Sequence, residues 1–174
     1  MARPGLILDR DGTLIEERGY VTHADDIVLL PGVRDALVRA SAAGVAVAVV
    51  TNQSAIGRGL LTADDLDALH GSIRDLGVAA IYHCPHLPDA GCGCRKPAPG
   101  MVERAVADLD LDPQRTLLVG DHLTDCLAGR AAGVDAVLVR TGHGDHHAEG
   151  AAADGFRVVP DVVAAIDEFL EALA

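Results

Sequence analysis

Leu6-Ile7-Leu8-Asp9-Arg10-Asp11-Gly12-Thr13 sets three large apolar residues in front of two acids spaced i and i+2, then a glycine. A short apolar run of this kind reads as a strand buried on both faces that stops at a sharp turn. The same signature recurs at 45–51, 79–83, 116–120 and 136–139, with a sixth strand expected at 157–159. Amphipathic stretches separate these runs. Helices are expected at 32–43 (closed by Gly44), 63–76 (closed by Gly77), 101–109 (opened by Pro99), 123–132 (closed by Gly133) and 162–173. Thr62 with Asp65 three positions on reads as a capping box. Strand and helix alternating from end to end imply an α/β fold, a parallel sheet with helices on both faces.

With 174 residues, 49% of them apolar, the chain is long enough for one core and reads as a single domain over 1–174. No repeat or low-complexity linker interrupts it. There is no uninterrupted apolar run of membrane-spanning length and no basic-then-apolar leader, so a cytoplasmic location is expected. Fourteen basic against twenty-six acidic residues leave a net charge of -12, which opposes binding to nucleic acid or to an anionic membrane surface. An anionic substrate therefore needs a local basic pocket. Thirteen of the fourteen cations are Arg, and the one lysine is Lys96. A single ammonium among so many guanidinium groups marks a place where a compact point charge is wanted.

Ligands of an open parallel sheet gather beyond the carboxyl ends of its strands. Those ends carry Asp9-Arg10-Asp11-Gly12-Thr13, Thr51-Asn52-Gln53-Ser54 and Gly120-Asp121 with Asp125 beyond, and a long loop ends at Arg95-Lys96-Pro97. Asp9 is the candidate nucleophile, forming an aspartyl phosphate that divides hydrolysis into two displacements. Asp11 is the candidate acid/base, protonating the leaving oxygen and then activating water. Asp9, Asp11, Asp121 and a phosphoryl group together concentrate negative charge that calls for Mg2+. Thr51 and Lys96 are candidates to stabilise the transferring group. Taken alone, an Asp-x-Asp after a strand is more often a turn or cap. The ordered set across three strand ends and the loop that bears the unique lysine outweighs that reading.

The series Asp9-x-Asp11-Gly12-Thr13, Thr51, Lys96 and Gly120-Asp121-x-x-x-Asp125 resembles the four motifs of the haloacid dehalogenase superfamily, and it spans most of the chain in the expected order. The resemblance implies a three-layer Rossmannoid core and a magnesium-dependent phosphatase. By the same resemblance, Asp9, the backbone carbonyl of Asp11 and Asp121 hold Mg2+, with Asp125 in support. Short intervals between motifs leave room for a small flap but no large cap domain.

Cys84, His86, Cys92 and Cys94 supply three thiolates and an imidazole within eleven residues, a set suited to a closed tetrahedral Zn2+ site. The last of them lies two residues before Lys96, so a metal on loop 84–94 would also fix Arg95 and Lys96. Cys126 reads as a buried small apolar residue, and His143, His146 and His147 as solvated loop residues.

Gly19-Tyr20-Val21, Thr51 through Gly59, and Cys84-Pro85-His86 with Cys92-Gly93-Cys94-Arg95-Lys96-Pro97 resemble one branch of the superfamily. Its members remove the 7-phosphate of D-glycero-D-manno-heptose 1,7-bisphosphate or hydrolyse histidinol phosphate; the Gly-Tyr-Val segment favours the heptose substrate. Ala55, where the branch commonly has Gly, and His143, where it often has Lys, are departures. Asn52, Arg58 and Arg95 are the candidate substrate-binding residues, the two guanidinium groups suiting a second phosphate. The expectation is a monomer acting on a small phosphorylated substrate. A zinc-knuckle module that binds nucleic acid is the rival of a different class, and the acidic charge and scarce aromatics oppose it.

Overall fold

The two acid-bearing strands at the middle of the sheet are neighbours in space although a hundred residues separate them. In the computed structural model, which describes residues 2–174, β1 (Arg3–Leu8) pairs on one side with β2 (Ala46–Asn52) and on the other with β4 (Leu111–Gly120). The full order is β3-β2-β1-β4-β5-β6, with β3 at Ala80–Cys84, β5 at Asp135–Val139 and β6 at Arg157–Val159. Every pairing is parallel. The chain winds outward from β1 to β2 and β3, then returns to lay β4 against the other side of β1. A crevice opens where strand order reverses, between the ends of β1 and β4.

Period-2 alternation sends each strand's side chains into two separate cores. Leu6, Leu8, Val47, Val49, Leu117 and Val119 pack beneath α1 (Val33–Ala42) and α8 (Val162–Leu173). Ile7, Ala48, Val50, Leu118 and Leu138 face α5 (Gly100–Asp108), α6 (Leu123–Ala131) and α7 (Gly144–Ala153). Each fully buried Leu, Ile or Val side chain contributes about 1.5–3 kcal/mol. This three-layer arrangement is the one expected from sequence, and all six strands are present. Between β1 and α1 the chain forms a small flap, tied by Ile15 to Leu29 and by Glu16 N–H donating to the Val28 carbonyl at 2.8 Å.

Three elements differ from the sequence reading. The helix expected at 63–76 is two pieces, α3 (Ala63–Leu69) and α4 (Gly71–Arg74), broken at His70, with Gly71 and Ser72 offering little helix propensity to bridge the joint. β4 begins at Leu111 rather than at 116. Its polar, proline-containing start pairs with β1 only at Arg3, beyond a register shift. Gly144–Ala153 is a helix, not a loop. It has no stripe of large apolar residues and packs through Gly144, Ala148 and Ala151; a Cβ at Gly144 would collide with the Val139 carbonyl. A single turn, α2 (Ser54–Gly57), follows β2. The capping box of Thr62 and Asp65 is formed as expected, and a second joins His122 and Asp125 at the start of α6. Among the described residues, no helix is long and apolar enough to cross a membrane.

Candidate active site

Asp9 leaves β1 with its N–H donating to the Val119 carbonyl at 2.9 Å, which fixes it beside the end of β4. Its side chain meets Lys96, whose Nζ lies 2.6 Å from Asp9 Oδ1, 2.5 Å from Asp125 Oδ1 and 3.0 Å from the Val50 carbonyl. Three acceptors surround an ammonium with three protons. Asp9 is 7% exposed and Lys96 4%, so this pairing sits in a medium where charge is poorly screened. Burial opposes the Lys96 charge, but Asp125 and Asp9 outweigh it and hold the pKa above the ordinary lysine value. Carboxylate oxygens of Asp9, Asp121 and Asp125 all lie within 4.8 Å of one another. Burial pushes Asp9 well above the usual carboxylate range, opposed by the Lys96 charge and reinforced by repulsion from Asp125, Asp121 and Asp11. Burial likewise lifts Asp121 to about 7, against the His143 backbone N–H that donates to its Oδ2 at 2.8 Å. Such carboxylates are poised to receive a cation.

Asp11 faces different partners. Arg10 grips it as a fork, Nη2 at 2.9 Å from Oδ1 and Nε at 3.1 Å from Oδ2. Gln53 Nε2 donates to Oδ2 at 3.0 Å and to Thr51 Oγ1 at 2.7 Å. The turn that follows the two acids depends on Gly12, at φ 77°, where a Cβ would strike the Asp121 carboxylate. Thr141 Oγ1 donates to the Gly12 carbonyl at 2.6 Å and closes the turn from the β5 side.

A cavity of about 720 Å³ opens over these residues, lined among others by Asp9, Asp11, Thr51, Lys96, Asp121 and Asp125. The structure thus brings together every residue proposed from sequence for catalysis and magnesium. The three candidates for substrate binding fare differently. Arg95 lines the cavity, its Nη1 donating to the His86 carbonyl at 3.2 Å. Asn52 also lines it, but its amide spans Lys96, accepting from Lys96 N–H at 3.1 Å and donating to the Lys96 carbonyl at 3.3 Å. Asn52 is therefore a clamp on the lysine. Arg58 is not in the cavity wall and lies 5.8 Å from the ring centre of Tyr20, which is.

His143 is an exposed turn residue, as expected, at the cavity wall. His146 and His147 lie on α7 rather than on a loop; His146 is exposed, and the half-buried His147 sets its ring 3.7 Å from that of His122, tilted by 48°. Gln53, Arg10 and His70 carry no site role in the sequence reading. Gln53 stands inside a recognised motif, so only its tertiary contact was hidden. Cys126 is fully buried, as expected.

Loop 84–94 gathers its four candidate ligands. Cys84 Sγ is 3.2 Å from Cys94 Sγ and 3.6 Å from Cys92 Sγ, and His86 Nδ1 lies 3.4 Å and 3.2 Å from the sulfurs of Cys84 and Cys94. With Zn–S bonds of roughly 2.3 Å, a tetrahedron has edges of about 3.7 Å, close to these separations. The donor set fits zinc.

An acid pair at the switch point of a parallel sheet, faced by one buried lysine, belongs to the haloacid dehalogenase-like class of hydrolases, and residues 93–165 match the HAD-hydrolase-like family model. Comparison with characterised proteins narrows the class. The chain is 37% identical over 178 residues to D-glycero-beta-D-manno-heptose-1,7-bisphosphate 7-phosphatase of Pseudomonas aeruginosa, covering 98% of this chain and 100% of the relative. Identity is 41% over 156 residues to the same enzyme of Haemophilus ducreyi, covering 82% and 86%. The crystal structure of the B. bronchiseptica D,D-heptose 1,7-bisphosphate phosphatase, complexed with magnesium and phosphate, superposes with a TM-score of 0.90 at 38% identity, covering 97% and 99%. The chain belongs to the D-glycero-D-manno-heptose-1,7-bisphosphate 7-phosphatase family.

Proposed function

We propose that the chain removes the 7-phosphate from D-glycero-D-manno-heptose 1,7-bisphosphate through an aspartyl-phosphate intermediate, with residues 1–174 acting as one domain. The observation that carries this reading is the buried Asp9, held by Lys96 at the β1–β4 crevice with Asp11 two residues on. It is supported by family membership. Asp9 attacks phosphorus as Asp11 gives its proton to the departing sugar oxygen. Asp11, now a carboxylate, takes a proton from water, which attacks the same phosphorus, releasing phosphate and restoring Asp9. Lys96 offsets charge on Asp9 and on the phosphoryl oxygens, and Thr51 Oγ1, which lines the cavity, would turn its proton from Asp11 Oδ2 to the phosphoryl group.

Mg2+ would be held by Asp9, the Asp11 carbonyl and Asp121. Asp125 is already taken up, its Oδ1 by Lys96 and its Oδ2 by the His122 N–H at 3.0 Å. The metal would neutralise charge on the phosphoryl group in flight. Zn2+ would be held by Cys84, His86, Cys92 and Cys94, fixing the loop that ends at Lys96. Arg95, at the cavity wall, is the group proposed for the distal phosphate.

The test is phosphate release with magnesium from both anomers of the heptose bisphosphate and from histidinol phosphate. The β-anomer, named for the Pseudomonas and Haemophilus relatives, is the expected substrate. Preference for histidinol phosphate would overturn the substrate and keep the mechanism, and absence of release from all three would overturn both.

A further inference from the structure

Arg10 is the largest fully buried side chain of the molecule, 1% exposed, and a guanidinium in that position needs a partner for each of its edges. Asp11 takes the Nε and Nη2 edge. The remaining edge is met from sixty residues away, where Nη1 lies 3.2 Å from His70 Nε2. His70 is itself 2% exposed and sits at the break between α3 and α4. Since arginine only donates, His70 Nε2 must accept, so the ring is neutral and carries its proton on Nδ1. We propose that His70 is a positioning residue for the reaction: its neutral imidazole holds Arg10 from behind, so that the guanidinium fork aims the Asp11 carboxylate at the leaving oxygen.

The chemistry of position 70 is restrictive. An aliphatic side chain would fill the space but leave a buried N–H of Arg10 unmet. A carboxylate would divide the guanidinium between two acids and weaken its hold on Asp11. A neutral acceptor does neither. The charged and titratable groups around the ring agree: Arg10 from the β1 turn, Arg74 from α4 and His83 from β3 disfavour a protonated imidazole, and only Asp67 from α3 favours it. Burial adds to the first group and is the largest influence.

The role rests on the phosphatase reading for its kinetic consequence, though not for the hydrogen bond itself. Two measurements separate them. Imidazole nitrogen NMR of the wild-type protein should show an unprotonated Nε2 and a protonated Nδ1 for His70 from pH 5 to 8. A protonated Nε2 would overturn the proposal whatever the substrate proves to be. The second measurement compares His70→Leu with His70→Gln, whose amide oxygen can replace the acceptor. With the heptose bisphosphate, whose alkoxide leaving group needs an acid, His70→Leu should lower kcat about ten- to a hundredfold at nearly unchanged KM. His70→Gln should stay within about threefold of wild type. With p-nitrophenyl phosphate, whose leaving group needs no proton, the initial burst of nitrophenolate from His70→Leu should keep its wild-type rate. Equal losses on both substrates, or no rescue by glutamine, would reduce His70 to a packing residue.

Discussion

Two regions flank the acid pair and fasten it by different physics. On the Asp11 side stands the helix pair α3–α4, anchored by buried Leu66, Leu69 and Ile73 and reaching the site through His70 and Arg10. On the Asp9 side stands the loop from Cys84 to Lys96, which has few large apolar side chains and converges instead on four donor atoms within 4.8 Å of one another. Packing needs nothing from outside the chain. A cluster of thiolates and imidazole is self-repelling until an ion joins it. One support is therefore complete on folding, and the other would be completed by a bound Zn2+.

If both supports serve the same two carboxylates, the largest losses should follow changes at the groups where they meet. Asp9→Asn should reduce phosphate release by at least about a thousandfold, because the nucleophile is lost while the shape is kept. Retention of a tenth of the activity would mean that the two supports converge on something other than the reacting group. Lys96→Met removes the cation between buried Asp9 and Asp125. Breaking a buried pair costs on the order of 3–5 kcal/mol, so a lower melting temperature should accompany a kcat loss of about a hundredfold or more. Added magnesium should return part of the stability and little of the rate, since it can replace the charge but not the hydrogen bonds to Asp9 and the Val50 carbonyl.

Cys92→Ser addresses the loop alone. Zinc content should fall, the melting temperature should drop by several degrees at about 2–4 °C per kcal/mol for a chain of this size, and activity should fall about tenfold as Lys96 loses its fixed approach. Hydrogen exchange should quicken in residues 84–98 and stay slow in α3–α4. Full activity at an unchanged melting temperature would show that the loop holds Lys96 without a metal, and the contrast between the two supports would collapse.

The two supports also differ in how plainly they are written in the sequence. The loop is legible because thiolates and histidine at i, i+2 spacing have few other uses, and because the chain's one lysine follows them. The strand ends are legible for a similar reason: acids placed after buried apolar runs mark both the register and the crevice. The Arg10–His70 contact is not legible, since Arg10 reads as the variable residue between two conspicuous acids and its partner lies beyond two further elements. Nor is α7, whose small residues pack by close approach to the Val139 carbonyl rather than by an apolar stripe. Helical periodicity at 63–76 concealed the break at His70, where Gly71 and Ser72 weaken the local helix propensity. Asn52, expected to bind substrate, lines the cavity, but its amide turns toward the backbone of Lys96, a contact that only the folded loop creates.

The smallest expected effect concerns the acid side of the stability curve and isolates the helix-pair support. Burial first, and the Arg10 charge second, hold His70 at about 3 in the folded chain, against 6.5 for an ordinary histidine. Between those values the unfolded chain binds a proton that the folded chain refuses. Stability from this group is therefore fully present above pH 6.5 and declines as pH falls toward 3, by at most about 1.4 kcal/mol per pH unit. His70→Gln lacks that proton and should lose less stability than wild type between pH 7 and 5. Acid also protonates the loop thiolates and neighbouring histidines such as His83, but these are common to both proteins and cancel in the difference. Chemical denaturation of the two at pH 7 and pH 5 reads that difference directly. Parallel losses would mean that His70 already carries a proton in the folded state, and Arg10 would then have no acceptor behind it.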